Sequence, residues 1–369
     1  MLKIGITGQN GFVGTHLFNT LGLYPERFER IPFTRTSFET NESLDAFVSQ
    51  CDVIVHLAAL NRHNDPEVIY KTNLDLVQNL VQSLERTKSK AHVILSSSSQ
   101  EDRDNLYGKS KKEGRVLLAN WAKKTDTTFT GMIIPNVFGP FGHPYYNSVV
   151  ATFSHQIANG ETPKIEVDGD LKLIYVGELV SEMVKAIENK TNDSCYSVKP
   201  TAEAKVSELL SLLQSYKKEY VDNGAIPSIH NTFELNLFNT FRCYMNIKNH
   251  FPVKFTQHTD ARGSFVEIIR LGVGGQVSFS TTVPGITRGN HFHTRKIERF
   301  AVIKGKALIQ LRKIGTDEVL DFYLDGEEPA YVDMPIWYTH NIKNIGDEIL
   351  YTNFWINEFY DVNDPDTYF

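Results

Sequence analysis

Two hydrophobic rhythms divide the chain. From residue 3 to about residue 125, short apolar runs alternate with segments whose apolar residues recur at helical spacing. Residues 3–7 and 52–58 read as buried strands, as do residues 92–95, which run into Ser96, Ser97, Ser98 and Ser99. Residues 13–21, 73–84 and 107–123 read as helices; in the second, Leu74, Leu76, Val77, Leu80, Val81 and Leu84 take the apolar positions. Such alternation predicts parallel strands joined by crossover helices, a doubly wound α/β sheet of the Rossmann type.

After about residue 251 the helical period stops. Residues 265–269, 276–282, 299–303, 307–312, 318–323 and 349–355 are β-rich, and turns such as Gly274-Gly275, Pro284-Gly285 and Ile314-Gly315 separate them. That pattern predicts an all-β sandwich or barrel. Between the two regimes, residues 206–216 read as a helix and the aromatic-rich residues 231–244 as a joint. The expected division is residues 1–245 and 246–369.

Composition narrows the function classes. A chain of 369 residues has room for two cores, and its 41% hydrophobic and 22% charged residues are those of an ordinary globular protein. A net charge of −6 argues against a nucleic-acid partner and against docking on an anionic membrane. No apolar run reaches membrane-spanning length, and residues 2–7 read as a strand rather than a leader. Cys51, Cys195 and Cys243 are scattered with no CxxC pair, which points to a reducing cytoplasm.

Gly8-Gln9-Asn10-Gly11-Phe12-Val13-Gly14 lies between the first strand and the first helix. Glycine tolerates the turn, lets a pyrophosphate approach the backbone, and leaves the helix N-terminus facing it. The second strand is expected to end near residues 31–34, where an NAD site carries an acidic residue; here Phe33-Thr34-Arg35-Thr36 follows, and the Arg35 guanidinium suits a 2′-phosphate. The sequence therefore predicts NADP(H). Tyr107 and Lys111 are four residues apart on a helix and share a face. The expectation is that the ammonium lowers the phenol pKa and holds the nicotinamide ribose, while the phenol exchanges a proton with a carbonyl oxygen. Ser98 is placed to bond the same oxygen, with Ser97 or Ser99 as substitutes.

These residues resemble the extended short-chain dehydrogenase/reductase superfamily over residues 1–244. The resemblance implies catalytic roles for Tyr107, Lys111 and Ser98, cofactor contacts at Leu57, Ala58 and Asn73, and a nucleotide-sugar loop at residues 135–140 containing Asn136. Ile133 departs from the pattern, where relatives often carry arginine. Sugar dehydratases of the superfamily need acid and base residues in a longer insert after the serine. Here only residues 99–106 intervene, with Glu101 and Asp102 read as solvated loop, so a 4-ketosugar reductase is favoured.

The β region holds the second constellation. Gly285, His291-x-His293, Glu298 and Gly305 form one motif, and Pro335, Trp337, His340 and Asn344 a second. Residues two apart on a strand face the same side, so His291 and His293 point inward together, and Glu298 and His340 complete four ligands for one divalent ion, with zinc expected. The spacing resembles the cupin (jelly-roll barrel) family, with Trp337 where a glycine is usual and narrowing of the pocket mouth expected. Residues 260–267 resemble the entry strand of the dTDP-4-keto-6-deoxysugar epimerases, which implies a sugar contact for Arg262 against a plain structural turn. Tyr338, Lys296 and His258 are the open candidates for an epimerase base.

The whole chain resembles a family of bifunctional capsular-polysaccharide enzymes, a reductase fused to a cupin. Matching stretches include Tyr146-Asn147-Ser148-Val149 and Pro365-Asp366-Thr367-Tyr368-Phe369. The resemblance implies C3 epimerisation of a UDP-2-acetamido-2,6-dideoxy-4-ketohexose by the cupin. NADPH-dependent C4 reduction to UDP-2-acetamido-2,6-dideoxy-L-talose, on the way to UDP-N-acetyl-L-fucosamine, then follows in a homodimer, with Asn147 at the substrate. The alternative is a reductase whose cupin only binds sugar or dimerises.

Overall fold

A computed structural model describes residues 1–369, which form two compact units: Met1–Thr152 with Asp168–Val206, and Phe153–Val167 with Ser207–Phe369.

The first unit is the expected α/β sheet. Its elements are β1 (Leu2–Thr7), α1 (Phe12–Leu21), β2 (Phe28–Ile31), α2 (Asn41–Val48), β3 (Val53–His56), α3 (Pro66–Arg86), β4 (His92–Ser98), α4 (Leu106–Thr125), β5 (Phe129–Ile134) and β6 (Asn136–Phe138). After α5 (Val149–Ala158), which spans the boundary, come β7 (Asp170–Tyr175), α6 (Val176–Glu188), β8 (Asp193–Ser197) and β9 (Ala202–Lys205). The main sheet is wholly parallel, in the order β2-β1-β3-β4-β5-β8. Its apolar runs are buried on both faces: Ile4, Ile6, Val55, Ile94 and Met132 pack toward α1 and α6, and Ile54, Val93 and Leu95 toward α3 and α4. The strand order reverses between β1 and β3, and in such sheets ligands bind beyond the carboxyl ends of the strands at that point.

The second unit is mostly β; its helical parts are the end of α5, α7 (Val206–Tyr216) continued by a π-helical turn at Lys217–Asp222, α8 (Thr232–Arg242) and α9 (Ile247–His250). Its strands are β10 (Val253–Lys254), β11 (Gln257–Asp260), β12 (Gly263–Val266), β13 (Gln276–Thr282), β14 (Thr287–His291), β15 (Glu298–Lys304), β16 (Lys306–Lys313), β17 (Val319–Asp325), β18 (Ala330–Met334), β19 (Tyr338–Asn344) and β20 (Leu350–Ile356). Two antiparallel sheets, β10-β18-β15-β20-β13 and β14-β19-β16-β17, enclose Phe300, Val302, Ile309, Leu311, Val332 and Ile342. β11 and β12 form a separate, exposed hairpin.

The compact boundary lies at residue 206 rather than 245 for a definite reason. Asp333 is fully buried on β18 and takes both Arg299 Nε and Nη2, at 2.7 and 2.9 Å. It also accepts the Tyr220 hydroxyl at 2.7 Å, and Arg242 of α8 donates to that hydroxyl and to the Met334 carbonyl. Residues 217–242 are thereby bonded into the β unit, and the stretch read as a joint is a buried helix. No helix of the chain is long and apolar enough to cross a membrane.

Removing one partner of a buried ion pair leaves the other charge uncompensated. Arg299→Ala is expected to cost the second unit about 3–5 kcal/mol, read as accelerated amide exchange in β15 and β18; unchanged protection would contradict this role for the pair.

Candidate active sites

The glycine loop follows β1 and opens α1 at the switch point of the sheet. Gly8 has φ +77°, and a Cβ there would lie 2.8 Å from Ala58 N. At Gly14 a Cβ would come within 2.2 Å of Gly8 O, so only glycine lets the helix pack on the turn. Gly11 caps α1 without a side-chain bond and no acidic residue occupies the first turn, which leaves the first helical amides available to an anion. Asn10 is exposed beside it, while Phe12 and Val13 are half-buried. Gln9 accepts from Phe33 N at 3.3 Å, tying the loop to the end of β2. Arg35 opens a single exposed 3-10 turn after β2. Leu57 and Ala58 follow β3, their amides bonded to Thr7 O and Thr7 Oγ1 at 3.1 and 3.3 Å.

Asn73 does a different job from the one expected. Its side chain is buried and accepts from Leu60 N at 2.7 Å while donating to Leu60 O and Ser110 Oγ, both at 3.1 Å. It pins the loop after β3 to α3 and α4, so its amide is spent on the chain itself.

Tyr107 and Lys111 share a face of α4, with Lys111 Nζ 5.8 Å from the Tyr107 ring centre. Ser98, at the end of β4, bonds the Tyr107 hydroxyl. Gly108 allows the close approach, since a Cβ there would lie 2.0 Å from Gln100 O. The phenol is not lowered as the sequence suggested: burial raises it, against the opposing Ser98 bond. Lys111 is itself engaged elsewhere, its ammonium donating to Ser96 O at 3.0 Å, and burial lowers it to about 8. A protonated phenol is the form that donates to a ketone oxygen. Ser97 is unavailable as a substitute because its hydroxyl bonds buried Glu101, which pairs with Arg115 at 2.6 Å. Glu101 is thus a buried strut rather than a solvated loop residue, whereas Asp102 is exposed and pairs with Lys112.

Asn136 is exposed at the start of β6. Asn147 donates to Asn61 O at 3.2 Å, and Arg62 binds the Tyr145 and Tyr146 carbonyls, latching the 145–147 loop to the loop after β3. The Tyr146 phenol is near enough to Tyr107 to raise it further. Tyr146 is a site neighbour that the sequence reading did not assign to chemistry. Arg262 is brought together with Asp260, at 2.6 Å on the exposed hairpin, rather than with the histidine cluster.

That cluster is His291, His293, Glu298 and His340, whose ligand atoms all lie within 4.8 Å of one another. His291 ends β14 opposite His340 on β19, after a bulge at Gly289 and Asn290, and Glu298 opens β15 in the facing sheet. His293 lies just beyond the strand, so the inward pair is set by bulge and loop rather than by regular strand alternation. Glu298 Oε2 is 3.1 Å from His293 Nε2 and 3.2 Å from His340 Nε2. Ligands on a tetrahedral zinc ion are about 3.3 Å apart, given Zn–N bonds of about 2.0–2.1 Å. Burial, with His340 and His293 beside it, lowers His291 to about 4, leaving it neutral as a ligand must be. Burial opposes ionisation of Glu298, yet the two imidazole bonds hold it well below the usual range. These residues fit a divalent ion.

Trp337 is buried at φ +62°, lies tilted against Phe292 with ring centres 5.7 Å apart, and donates its backbone N–H to His293 O. Asn344 is a pin, donating to Thr282 O and Glu348 O. Of the base candidates, His258 lies on the exposed hairpin and Lys296 is buried against Pro365 O and Glu358. Tyr338 is largely enclosed, and burial raises its phenol.

Comparison with known proteins finds a separate family match in each part of the chain. Residues 4–198 match the NAD dependent epimerase/dehydratase family, and residues 258–368 match a polysaccharide biosynthesis C-terminal domain. A UDP-2-acetamido-2,6-beta-L-arabino-hexul-4-ose reductase of Pseudomonas aeruginosa is 32% identical, covering 100% of this chain and 98% of the relative. The crystal structure of the capsular polysaccharide assembling protein CapF of Staphylococcus aureus is 35% identical with a TM-score of 0.64, covering 100% of this chain and 99% of that one. RMD of Pseudomonas aeruginosa, solved with NADPH, shares the fold at 22% identity and a TM-score of 0.53, over 59% of this chain and 83% of that one.

Proposed function

Since the chain belongs to the NAD dependent epimerase/dehydratase family, we propose that it reduces the C4 ketone of a UDP-2-acetamido-2,6-dideoxyhexulose with NADPH, after its cupin unit has inverted C3. The observation that carries the reduction is the Ser98–Tyr107–Lys111 group beyond the carboxyl end of β4, in the unit that holds the glycine loop. The dinucleotide supplies the hydride that C4 accepts. Tyr107 donates its phenolic proton to the ketone oxygen, converting C=O to CH–OH, and Ser98 bonds and orients the reacting groups. Lys111, fixed by Ser96 O, presents its charge to the ribose. The exposed Arg35 after β2 supports NADPH over NADH.

The cupin step rests on the His291, His293, Glu298 and His340 cluster. A divalent ion held there, zinc by the fit of spacing and donor set, supplies an electrophile for the ketone oxygen and so acidifies C3. The product is UDP-2-acetamido-2,6-dideoxy-L-talose, a precursor of UDP-N-acetyl-L-fucosamine for capsule or O-antigen synthesis in the cytoplasm. Reduction removes the ketone that makes epimerisation reversible and so traps the inverted sugar. A homodimer is supported by edge strand β13, whose Val277 and Phe279 are exposed along a free ladder of backbone groups.

Tyr107→Phe is expected to abolish NADPH oxidation while C3–deuterium exchange in heavy water continues; loss of both would contradict two separate sites. Arg35→Glu is expected to raise KM for NADPH about 10- to 100-fold, the size of a lost charge-assisted bond, and to leave NADH use little changed. Equal loss with both cofactors would remove Arg35 from the 2′-phosphate.

A further inference from the structure

Three of the cage residues, His291, Glu298 and His340, lie on two sheets, but His293 belongs to an irregular loop, residues 292–297, between β14 and β15, and Glu298 follows it directly. A loop needs its backbone groups satisfied from elsewhere if it is to hold ligands in register. Nearly every residue of this loop is bonded to one short segment, residues 365–368. Phe292 exchanges both backbone bonds with Tyr368, at 2.9 and 3.1 Å, and the two rings stack at 5.4 Å. Thr294 N, Arg295 N and Lys296 N all donate to the Asp366 carboxylate at 3.0 Å, and the Thr294 hydroxyl donates at 2.6 Å. Lys296 Nζ reaches Pro365 O at 2.6 Å. The His293 ring donates from Nδ1 to the Asp366 carbonyl.

That last bond sets a tautomer. With Nδ1 carrying the proton, Nε2 carries the lone pair, and Nε2 is the atom 3.1 Å from Glu298 Oε2. Asp366 itself is 2% exposed and sits at φ +41°, a conformation aspartate and asparagine tolerate better than most side chains. One residue thus clamps three consecutive amides with its side chain and orients a cage imidazole with its main chain.

We propose that Asp366 is a positioning residue for the metal cage, and that residues 365–368 form a strap that presets His293 and the loop leading to Glu298 for the ion. The inference rests on the metal reading above and extends it to a segment 73 residues from the histidine it orients. The ligands alone do not fix the site; the strap does so before an ion arrives, which lowers the ordering cost of binding.

The test is a zinc titration of the full-length protein against a chromophoric chelator, with melting measured both metal-free and zinc-loaded. Asp366→Ala is expected to weaken zinc about 10- to 100-fold, as losses of outer partners of metal ligands do, and to shrink the zinc-dependent rise in melting temperature. Asp366→Asn keeps an acceptor oxygen and tolerance of the backbone conformation, and is expected to fall between the two; it keeps the question answerable if the alanine variant folds poorly. NADPH binding is expected to be unchanged in both. Unchanged zinc affinity in the variants overturns the proposal. So does an equal fall in melting temperature with and without zinc, which is the mark of a merely structural strap. If the unaltered protein fails to bind zinc, the metal reading itself falls, an outcome distinct from the other two.

Discussion

Buried polar atoms that find no partner are rare, and at the centre of the β unit three converge, His293 Nε2, His340 Nε2 and Glu298 Oε2, which face one another and no group outside the cluster. A carboxylate oxygen about as close to two imidazole nitrogens as ligands on one ion would be is a costly arrangement without a cation between them. Much of the second unit can be understood from this constraint. The bulge at Gly289 and Asn290 turns His291 toward His340, β15 delivers Glu298 from the opposite sheet, and the 365–368 strap holds the loop between them. The Arg299–Asp333 pair begins one residue after Glu298 and anchors the same strand to the helices.

The first unit solves a different electrostatic problem with different means. It offers an anion the open amides of a helix rather than a set of charged ligands, and its chemistry depends on a phenol kept protonated by burial. The buried Ser97–Glu101–Arg115 network lies directly beneath Ser98, and it stiffens the end of β4 from which the serine emerges. The proposed roles are complementary, a proton donor for a ketone in one unit and an electrophile for the same functional group in the other, and that complementarity supports the proposed serial treatment of one ketosugar.

Much of this was legible because local spacing reflects geometry. The glycine triplet and the Tyr107/Lys111 interval are short-range patterns whose residues share the turn and the helix face that their spacing implied, whereas the His-x-His pair converges through a bulge and a loop rather than by the strand alternation read from its spacing. What stayed hidden depends on long-range pairing or on unusual burial. β19 reads as polar because His340 and Asn344 take two of its three buried positions, leaving only Ile342 as hydrocarbon. α8 reads as a joint because it is buried almost all round, Asn236, Asn239 and Arg242 included, and so has no polar face to set off an apolar one. Glu101 looks like a loop carboxylate until Arg115 is brought beside it, and Asn73 like a cofactor contact until Leu60 takes both ends of its amide. Asp366 stood out only as part of a family-like stretch, and nothing in that stretch told its role, since every group its side chain binds is about seventy residues away.

Both units are proposed to act on one ketone in sequence. This order of steps is tested most directly by supplying the protein with UDP-2-acetamido-2,6-dideoxy-4-ketohexose and NADPH in deuterated water and reading the product by NMR. The expected product is a sugar inverted and deuterated at C3 and reduced at C4, with one NADPH oxidised per product. A reduced sugar that keeps protium and its original configuration at C3 would leave a reductase alone and contradict it.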